Sequence, residues 1–140
     1  MDPAPLDAAT QAALRHLVFE LRRGTRARVF APVVHVGVPG GDVFVAPAGD
    51  LDHALRTDLV LTLLAMHREE AMPAVWLTRV GQPGGHDLDA AWASAARAGF
   101  AESGAPLPWF AVVTKQGWAR PLTGETRTWQ RLRLRGGRDV

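Results

Sequence analysis

The chain has 140 residues and a formal net charge of +2, and 47% of its residues are hydrophobic against 21% that are charged. This length supports one domain, and the composition is close to the globular average and far from that of disordered chains. The chain has no Cys, no Tyr and a single Lys, which excludes thiol nucleophiles, thiolate metal sites, disulfides and tyrosine acids.

The first predicted element is a helix that Asp7 caps and that runs to about Arg23, with Gly24 as its stop. Its apolar residues recur at the helical spacing of three and four, and they form one stripe made of Leu14, Leu17, Val18 and Leu21. Arg15, Arg22 and Arg23 lie largely off this stripe, and Arg26 and Arg28 follow the helix.

Two β-branched runs follow the helix and enclose a glycine-rich turn. The runs are Pro32 to Val38 and Val43 to Ala46, and the turn between them contains Pro39-Gly40-Gly41. Strand-forming residues on both sides of a Pro-Gly-Gly turn predict a β-hairpin.

A second helix is predicted after the hairpin, starting near Asp50 or Asp52 and running to about Arg68. Leucines line one side of this segment and further apolar residues widen the arc, so we expect the helix to be largely covered. The next strand is predicted over Ala74 to Val80, which combines apolar, aromatic and β-branched residues.

A third helix is predicted next, capped by Asp87, continuing to about Glu102 and ended by Gly104. Its apolar residues are spaced by four, with alanines between them. The segment Trp109 to Thr114 that follows is apolar at consecutive positions, which is typical of a strand buried on both faces.

This order of elements predicts an α/β fold with a mostly parallel sheet. We expect one small domain over 1–140, with an N-terminal helix and basic linker (1–28), an α/β core (29–114) and a basic tail rich in Arg and Trp (115–140). The N-terminus lacks a secretory signal, and no apolar stretch approaches the roughly 20 residues that span a bilayer, so we expect a cytoplasmic protein.

The tripeptide Asp-Leu-Asp occurs twice beside a His, each time between a predicted strand and a predicted helix. The simplest interpretation is helix capping, because Asp accepts hydrogen bonds from the free N–H groups of a first turn. If both preceding strands are parallel, the two copies share the carboxyl edge of the sheet, as a partner surface or as a site for a divalent metal that activates water. These residues are Asp50, Asp52, His53, His86, Asp87 and Asp89.

The sequence Gly-x-Pro-Gly-Gly also occurs twice, over 37–41 and 81–85. Neither copy matches a phosphate-binding fingerprint, because the Pro removes one N–H donor, so both predict tight turns. Ser94 and Ser103 lie in and at the end of a predicted helix without the turn that exposes a catalytic serine. Nucleophilic catalysis is therefore not expected.

The last part of the chain is strongly basic. Residues 115–138 carry seven Arg and Lys against one Glu, a net charge of +6, whereas residues 1–114 carry nine Arg against twelve Asp and Glu, a net charge of −3. Gly117 to Arg120 and Glu125 to Leu134 flank a Pro-Leu-Thr-Gly turn and predict a second hairpin. This asymmetry is the strongest binding signal in the sequence.

As a strand, the end of the tail aligns its arginines in a row suited to phosphates, with tryptophans that stack on bases, whereas a final helix would scatter them. The alternative is that the tryptophans and leucines of the tail close the core while the arginines lie in water. The candidate anion-binding or nucleic-acid-binding residues are Arg120, Arg127, Arg131, Arg133, Arg135, Trp118 and Trp129.

From Val33 to Val113 the order of elements resembles the anti-sigma-factor-antagonist (STAS) domain. The step from the hairpin into the second helix is similar to the Gly-x-Leu-Asp step of that family, carried here by Gly49, Leu51 and Asp52. The resemblance implies a non-catalytic regulator that binds a partner. The regulated members carry a phosphorylatable Ser at the start of the next helix, where this chain has Gly85-His86-Asp87-Leu88, so no phosphorylation switch is expected.

The sequence therefore favours a non-catalytic cytoplasmic module that needs no cofactor. We expect it to bind a protein or nucleic-acid partner, with its basic C-terminal segment as the contact, and to have no membrane association. The alternative is a metal-dependent hydrolase, similar to a phosphoesterase, that uses the two Asp-Leu-Asp segments and a divalent cation. The oligomeric state is left open, with a homodimer among the alternatives.

Overall fold

Three helices and a six-stranded mixed sheet form residues 4–130, the part of the chain that this computed structural model describes. The predicted core helices and strands are present, with ends that differ from the prediction by a few residues. Within this part of the chain, no helix has the length and apolar character needed to cross a membrane. The elements are α1 (Ala8–Gly24), β1 (Val33–Gly37), β2 (Val43–Pro47), α2 (His53–Ala65), β3 (Ala74–Thr78), α3 (Asp87–Ser103), β4 (Phe110–Thr114), β5 (Gly117–Ala119) and β6 (Thr126–Thr128).

The sheet has the strand order β2-β1-β3-β4-β5-β6, and its strands are mostly antiparallel. Only β3 and β4 pair in parallel, whereas β1 is antiparallel to both β2 and β3. The prediction of an α/β fold is confirmed, and the prediction of a mostly parallel sheet is wrong. The reason is that β1 inserts between its hairpin partner β2 and β3, so it opposes the direction of both neighbours.

The last three strands form two more antiparallel pairs, β4 with β5 and β5 with β6. The turn between β4 and β5 consists of Lys115 and Gln116, and a turn of two residues joins only antiparallel strands. β5 then pairs with β6 through the register Gly117 to Thr128 and Ala119 to Thr126. The second predicted hairpin is thus present over these residues, and its predicted continuation to Leu134 lies outside the described residues.

Polar side chains cap all three helices. Asp7 accepts a hydrogen bond from the Thr10 N–H (2.7 Å), and hydrogen bonding by the Thr10 side chain and by this N–H lowers the pKa of the Asp7 carboxyl below its usual value. Asp52 accepts from the Leu55 N–H (2.9 Å) at the start of α2. The cap of α3 is His86, whose Nδ1 accepts from the Leu88 N–H (3.0 Å), and this corrects the prediction that Asp87 caps it.

The sheet buries a different core on each of its two faces. We call the face covered by α2 and α3 the α2–α3 side and the opposite face, on which α1 packs, the α1 side. The α2–α3 side is built from aliphatic residues and alanines, with Trp92 and three phenylalanines among them (Phe44, Phe100 and Phe110). The α1 side is dominated by tryptophans, namely Trp76, Trp109 and Trp118, with Trp129 at its margin.

Candidate nucleic-acid interface

Arg22, in the C-terminal half of α1, connects this helix to the β4–β5 turn and to the residue that follows β6. The guanidinium of Arg22 donates hydrogen bonds to the carbonyl oxygens of Lys115 and Trp129, the second at 2.6 Å. Partial burial lowers the pKa of Arg22, but an arginine stays protonated at any physiological pH. These bonds join residues more than 90 positions apart and fix Trp129 relative to α1.

Trp129 follows β6 and is half-buried. Its backbone N–H donates to the Gln116 carbonyl (2.9 Å), so the backbone N–H and the backbone carbonyl of Trp129 are both hydrogen-bonded. The guanidinium carbon of Arg15 lies 5.9 Å from the centre of the indole ring, within the range of a cation–π contact. Trp129 therefore has a backbone that is hydrogen-bonded to two elements and a ring that lies beside a cation.

A cleft of about 500 Å³ opens between the start of α1 and the β5–β6 hairpin. We call it the arginine cleft, and its lining includes Gln11, Arg15, Trp118, Arg127 and Trp129. Arg127 is exposed on the edge strand β6, and its side chain makes no hydrogen bond or ion pair to a described residue. The cleft thus presents two arginines, Arg15 and Arg127, whose N–H groups have no hydrogen-bond partner among the described residues, and an aromatic ring.

The indole N–H of Trp118 is a buried donor without a partner among residues 4–130. Trp118 is only 1% exposed, and it forms part of the wall of the arginine cleft. Almost all buried donors in proteins are hydrogen-bonded, because an unpaired one costs about 1–3 kcal/mol.

The charges of the described residues separate by the side of the sheet. Residues 8–32, which include α1 and the linker to β1, carry five Arg against one Glu, and Lys115 and Arg127 lie on the same side. The segments that build the α2–α3 side, 48–72 and 86–104, carry eight Asp and Glu against three Arg. An anionic partner is therefore attracted to the α1 side and repelled from the other.

The predicted binding residues of the tail have different positions in the structure. Arg127, Trp129 and the buried Trp118 line the arginine cleft. Arg120 is 1% exposed, where it forms an ion pair with Glu125 (2.9 Å) and donates to the Ala4 carbonyl (2.9 Å). Arg120 therefore stabilises the fold and is not available at the surface. Three predicted residues lie outside the described part of the chain, namely Arg131, Arg133 and Arg135.

The two Asp-Leu-Asp segments serve different structural purposes. In the first, Asp52 caps α2, while Asp50 and His53 are exposed. In the second, Asp89 is buried and holds the guanidinium of Arg79 through two hydrogen bonds of 2.7 Å. The predicted capping role therefore applies to Asp52 in the first copy, whereas Asp89 in the second copy forms a buried ion pair.

The strands that precede these segments run in the same direction, with β1 between them. Two strand spacings separate them by roughly 10 Å, which is too far for side chains on both to bind one ion without a further approach of the loops. Within residues 4–130 no three His, Asp or Glu side chains are grouped so that they could hold a metal ion. The hydrolase alternative stays a prediction that no geometry favours.

Sequence reasoning did not assign Arg15, Arg22 and Gln11 to the site. A usable signal was present, because Arg15 and Arg22 are seven residues apart and so lie on the same side of α1, almost two turns apart. Both contact Trp129, one at its ring and the other at its carbonyl. What the sequence lacked was the position of β6 beside α1.

Comparisons with known proteins add nothing to this site. The chain matches no protein-family model, no curated protein and no solved structure. The resemblance to the STAS domain therefore stays a prediction, and the function has to be inferred from the side chains of the cleft.

Proposed function

We propose that this protein is a non-catalytic module that binds single-stranded nucleic acid in the arginine cleft. The observation that carries the proposal is that Trp129, the Arg15 guanidinium 5.9 Å from its ring centre, and the unpaired Arg127 line the same open cleft. Single strands are bound by cations that follow the phosphates and by aromatic rings on which unpaired bases stack. The cleft supplies both kinds of group within one cavity.

The distribution of charge supports an anionic partner on this side of the molecule. The basic α1 side carries exposed arginines beyond the cleft, Arg23, Arg26 and Arg28, none of which has a hydrogen bond or ion pair to a described residue. Arginine suits phosphate because its planar fork donates two parallel hydrogen bonds to two oxygens. We assign the phosphates of the strand to the cleft and to this surface.

A single strand is favoured over a duplex because Trp129 is a stacking side chain. Bases within a duplex are already stacked on one another and do not present their faces to a protein ring. An acidic protein partner would use the same cations but would leave the ring of Trp129 without a defined role. The binding experiment distinguishes these ligands.

The test is fluorescence anisotropy of labelled 12-nucleotide single strands of DNA and RNA, with a duplex of the same length and poly-glutamate as competitors, at two salt concentrations. We expect binding that weakens as salt rises, with a slope of about −0.7 per phosphate contact. Replacement Arg127→Gln should weaken binding several-fold and make the slope less negative by about 0.7. The matched control is Arg97→Gln on α3, an exposed arginine on the acidic side, which should change neither quantity.

The stacking component has its own variant. Trp129→Leu keeps the backbone hydrogen bonds to Gln116 and Arg22 and removes the ring, so we expect a loss of about 5- to 100-fold in affinity for single strands. Absence of binding at low salt, or equal losses in R127Q and R97Q, would contradict the proposal. Competition by poly-glutamate as strong as that by nucleic acid, with W129L unchanged, would point to an acidic protein and would also overturn it.

The tail arginines outside the described residues need a separate variant. The sequence predicts that Arg131, Arg133 and Arg135 contact phosphates, and a triple replacement by Gln in the full chain tests this. If they do, the salt slope becomes less negative by about 2, because each contact contributes about 0.7. An unchanged slope would restrict the phosphate contacts to the α1 side.

A further inference from the structure

A second cavity adjoins the arginine cleft and shares Trp129 with it. Its volume is about 520 Å³, and its wall is formed by Arg22, Gln82, Gln116, Thr128, Trp129 and Gln130. We call it the glutamine pocket. Three of the four glutamines in the chain line this one cavity.

The pocket lies at the carboxyl end of the parallel strand pair. Gln82 is in the loop that follows β3, and Gln116 is in the turn that follows β4. In sheets with parallel strands, ligands bind in the crevice outside the carboxyl ends of the strands, where the loops diverge. β3 and β4 are the parallel pair within residues 4–130, so this is the edge at which a ligand is expected.

The glutamine amides are free to bind a ligand. The side chains of Gln82, Gln116 and Gln130 are exposed, and none makes a hydrogen bond to a described residue. Arg22 is different, because its N–H groups already donate to the carbonyls of Lys115 and Trp129. The pocket therefore offers neutral pairs of one donor and one acceptor, with its one cation committed to the fold.

These groups match a nucleobase more closely than a phosphate. A glutamine amide presents a donor and an acceptor in one plane, and it pairs with the N6 and N7 atoms of adenine. Adenine carries a donor beside an acceptor on its Watson–Crick edge as well as on its Hoogsteen edge, so two amides can bind it at once. Guanine presents two acceptors on its Hoogsteen edge, and each pyrimidine presents such a pair on one edge only.

We infer that the glutamine pocket binds an adenine base of a strand whose phosphates lie in the arginine cleft. This inference rests on the proposed function and adds a base preference to it. Trp129 lines both cavities, so it separates the phosphate-binding side chains Arg15 and Arg127 from the base-reading side chains Gln82 and Gln116.

The experiment compares the binding of 12-nucleotide oligo(dA), oligo(dC) and oligo(dT) to the full chain by anisotropy at fixed salt. We expect oligo(dA) to bind about tenfold more tightly than either pyrimidine strand. Gln82→Leu and Gln116→Leu should each bring the three affinities closer to one another, while the affinity for oligo(dT) and the salt slope stay unchanged. Oligo(dA) that contains 7-deazaadenine, which lacks the N7 acceptor, should bind several-fold more weakly.

The control is Ser94→Ala, which removes an exposed polar group on α3, on the other side of the sheet. Ser94 lines neither the arginine cleft nor the glutamine pocket, so its loss should leave both the affinity and the base preference unchanged. Thermal unfolding of each variant identifies losses that arise from misfolding. Equal affinity for the three strands, or a preference that survives both pocket variants, would overturn the glutamine pocket and leave the proposed function intact. No binding of any strand would reject the proposed function itself.

Discussion

The two sides of the sheet are covered in different ways. On the α2–α3 side, two helices pack closely on one another, and Gly99 of α3 lies against Val60 of α2. On the α1 side, a single helix packs against β4 and β5, and tryptophans fill the space that it leaves. A single helix is about 10 Å wide and covers about two strands. Clefts therefore remain beside α1, where the β5–β6 hairpin extends beyond the helix. The candidate site follows from this incomplete cover.

The same division holds for charge. Acidic residues surround α2 and α3, whereas arginines dominate α1 and its linker. The arginines that hold the fold differ as well. Arg79 forms a buried ion pair with Asp89 inside the α2–α3 side, whereas the half-buried Arg22 on the α1 side donates to carbonyl oxygens. The α1 side also carries exposed arginines such as Arg127, which have no partner among the described residues and are available to a ligand.

The largest effect is expected from breaking the buried ion pair of the α2–α3 side. Arg79→Leu leaves the Asp89 carboxylate, which is 3% exposed, without its cation and removes two bonds that Arg79 donates to the carbonyls of Val80 and Gly84. We expect a loss of about 3–5 kcal/mol in the free energy of unfolding, measured with urea. Arg68→Ala is the control, because its pair with Glu70 is exposed and 4.0 Å long, and it should change stability by less than about 1 kcal/mol.

The double replacement Arg79→Leu with Asp89→Leu sharpens this test. If the loss comes from an uncompensated charge, the double variant will be more stable than Arg79→Leu alone, because it buries no charge. A double variant that loses the sum of the two single effects would show that packing and not charge is responsible.

The helices could be predicted from the sequence. The spacing of apolar residues predicted α1, α2 and α3 within a few residues, because helical periodicity is a local property. The direction of β1 was not accessible, since it depends on the insertion of this strand between β2 and β3. A hairpin can lie at the edge of a sheet or pair on both sides, and its own sequence does not distinguish the two.

The candidate site was only partly accessible from sequence. Arg127 and Trp129 were predicted from the basic tail, and both line the cleft. The contact of Arg22 with the Trp129 carbonyl spans 107 residues, and local patterns carry no information about such a pair. Arg120 and Arg127 belong to the same basic segment of the sequence, yet Arg120 is buried and paired with Glu125, whereas Arg127 is exposed.

On the α1 side, His35 makes the stability dependent on pH. Its ring stacks on Trp76 at 5.1 Å, its Nε2 lies 3.1 Å from the Thr78 hydroxyl, and burial lowers its pKa to about 4. In the unfolded chain a His has a pKa near 6.5, so between the two values only the unfolded state takes up the proton. We therefore expect the folded state to lose up to about 3 kcal/mol as the pH falls from about 6.5 to about 4.

Urea unfolding of the wild type and of His35→Gln across this pH range measures the effect. The variant should be less stable at pH 7, because it lacks the stacked ring, but its stability should fall less steeply in acid. The exposed His53→Gln is the control and should retain the wild-type slope. Parallel slopes in the wild type and H35Q would show that His35 is not held neutral.

A smaller effect is expected at the contact between α2 and α3. A Cβ at position 99 would lie 2.9 Å from Cγ1 of Val60, so Gly99→Ala forces the helices apart or Val60 out of place. Overpacking of this kind costs about 1–3 kcal/mol, and the better helix propensity of Ala offsets up to about 1 kcal/mol of it. We expect a net loss of about 1–2 kcal/mol in urea unfolding, and no loss of nucleic-acid binding, because the cleft lies on the other side.

The double variant Val60→Ala with Gly99→Ala provides the control for this contact. Removing the two methyl groups of Val60 makes room for the new Cβ, so the double variant should lose less stability than the two single variants combined. Strict additivity would mean that the two side chains do not meet, and the close approach of α2 to α3 would then be refuted.

The smallest expected change in stability is the difference between replacing Asp52 and replacing Asp50, the two acids of the first Asp-Leu-Asp segment. Asp52 accepts a hydrogen bond from the Leu55 N–H, whereas Asp50 makes none to a described residue, although both precede α2. Asp52→Ala should therefore cost about 1 kcal/mol, as expected for the loss of a helix cap, and Asp50→Ala less than about 0.5 kcal/mol. Thermal unfolding of the two variants side by side measures the difference, and equal losses would show that the segment acts through its charge and not through the cap.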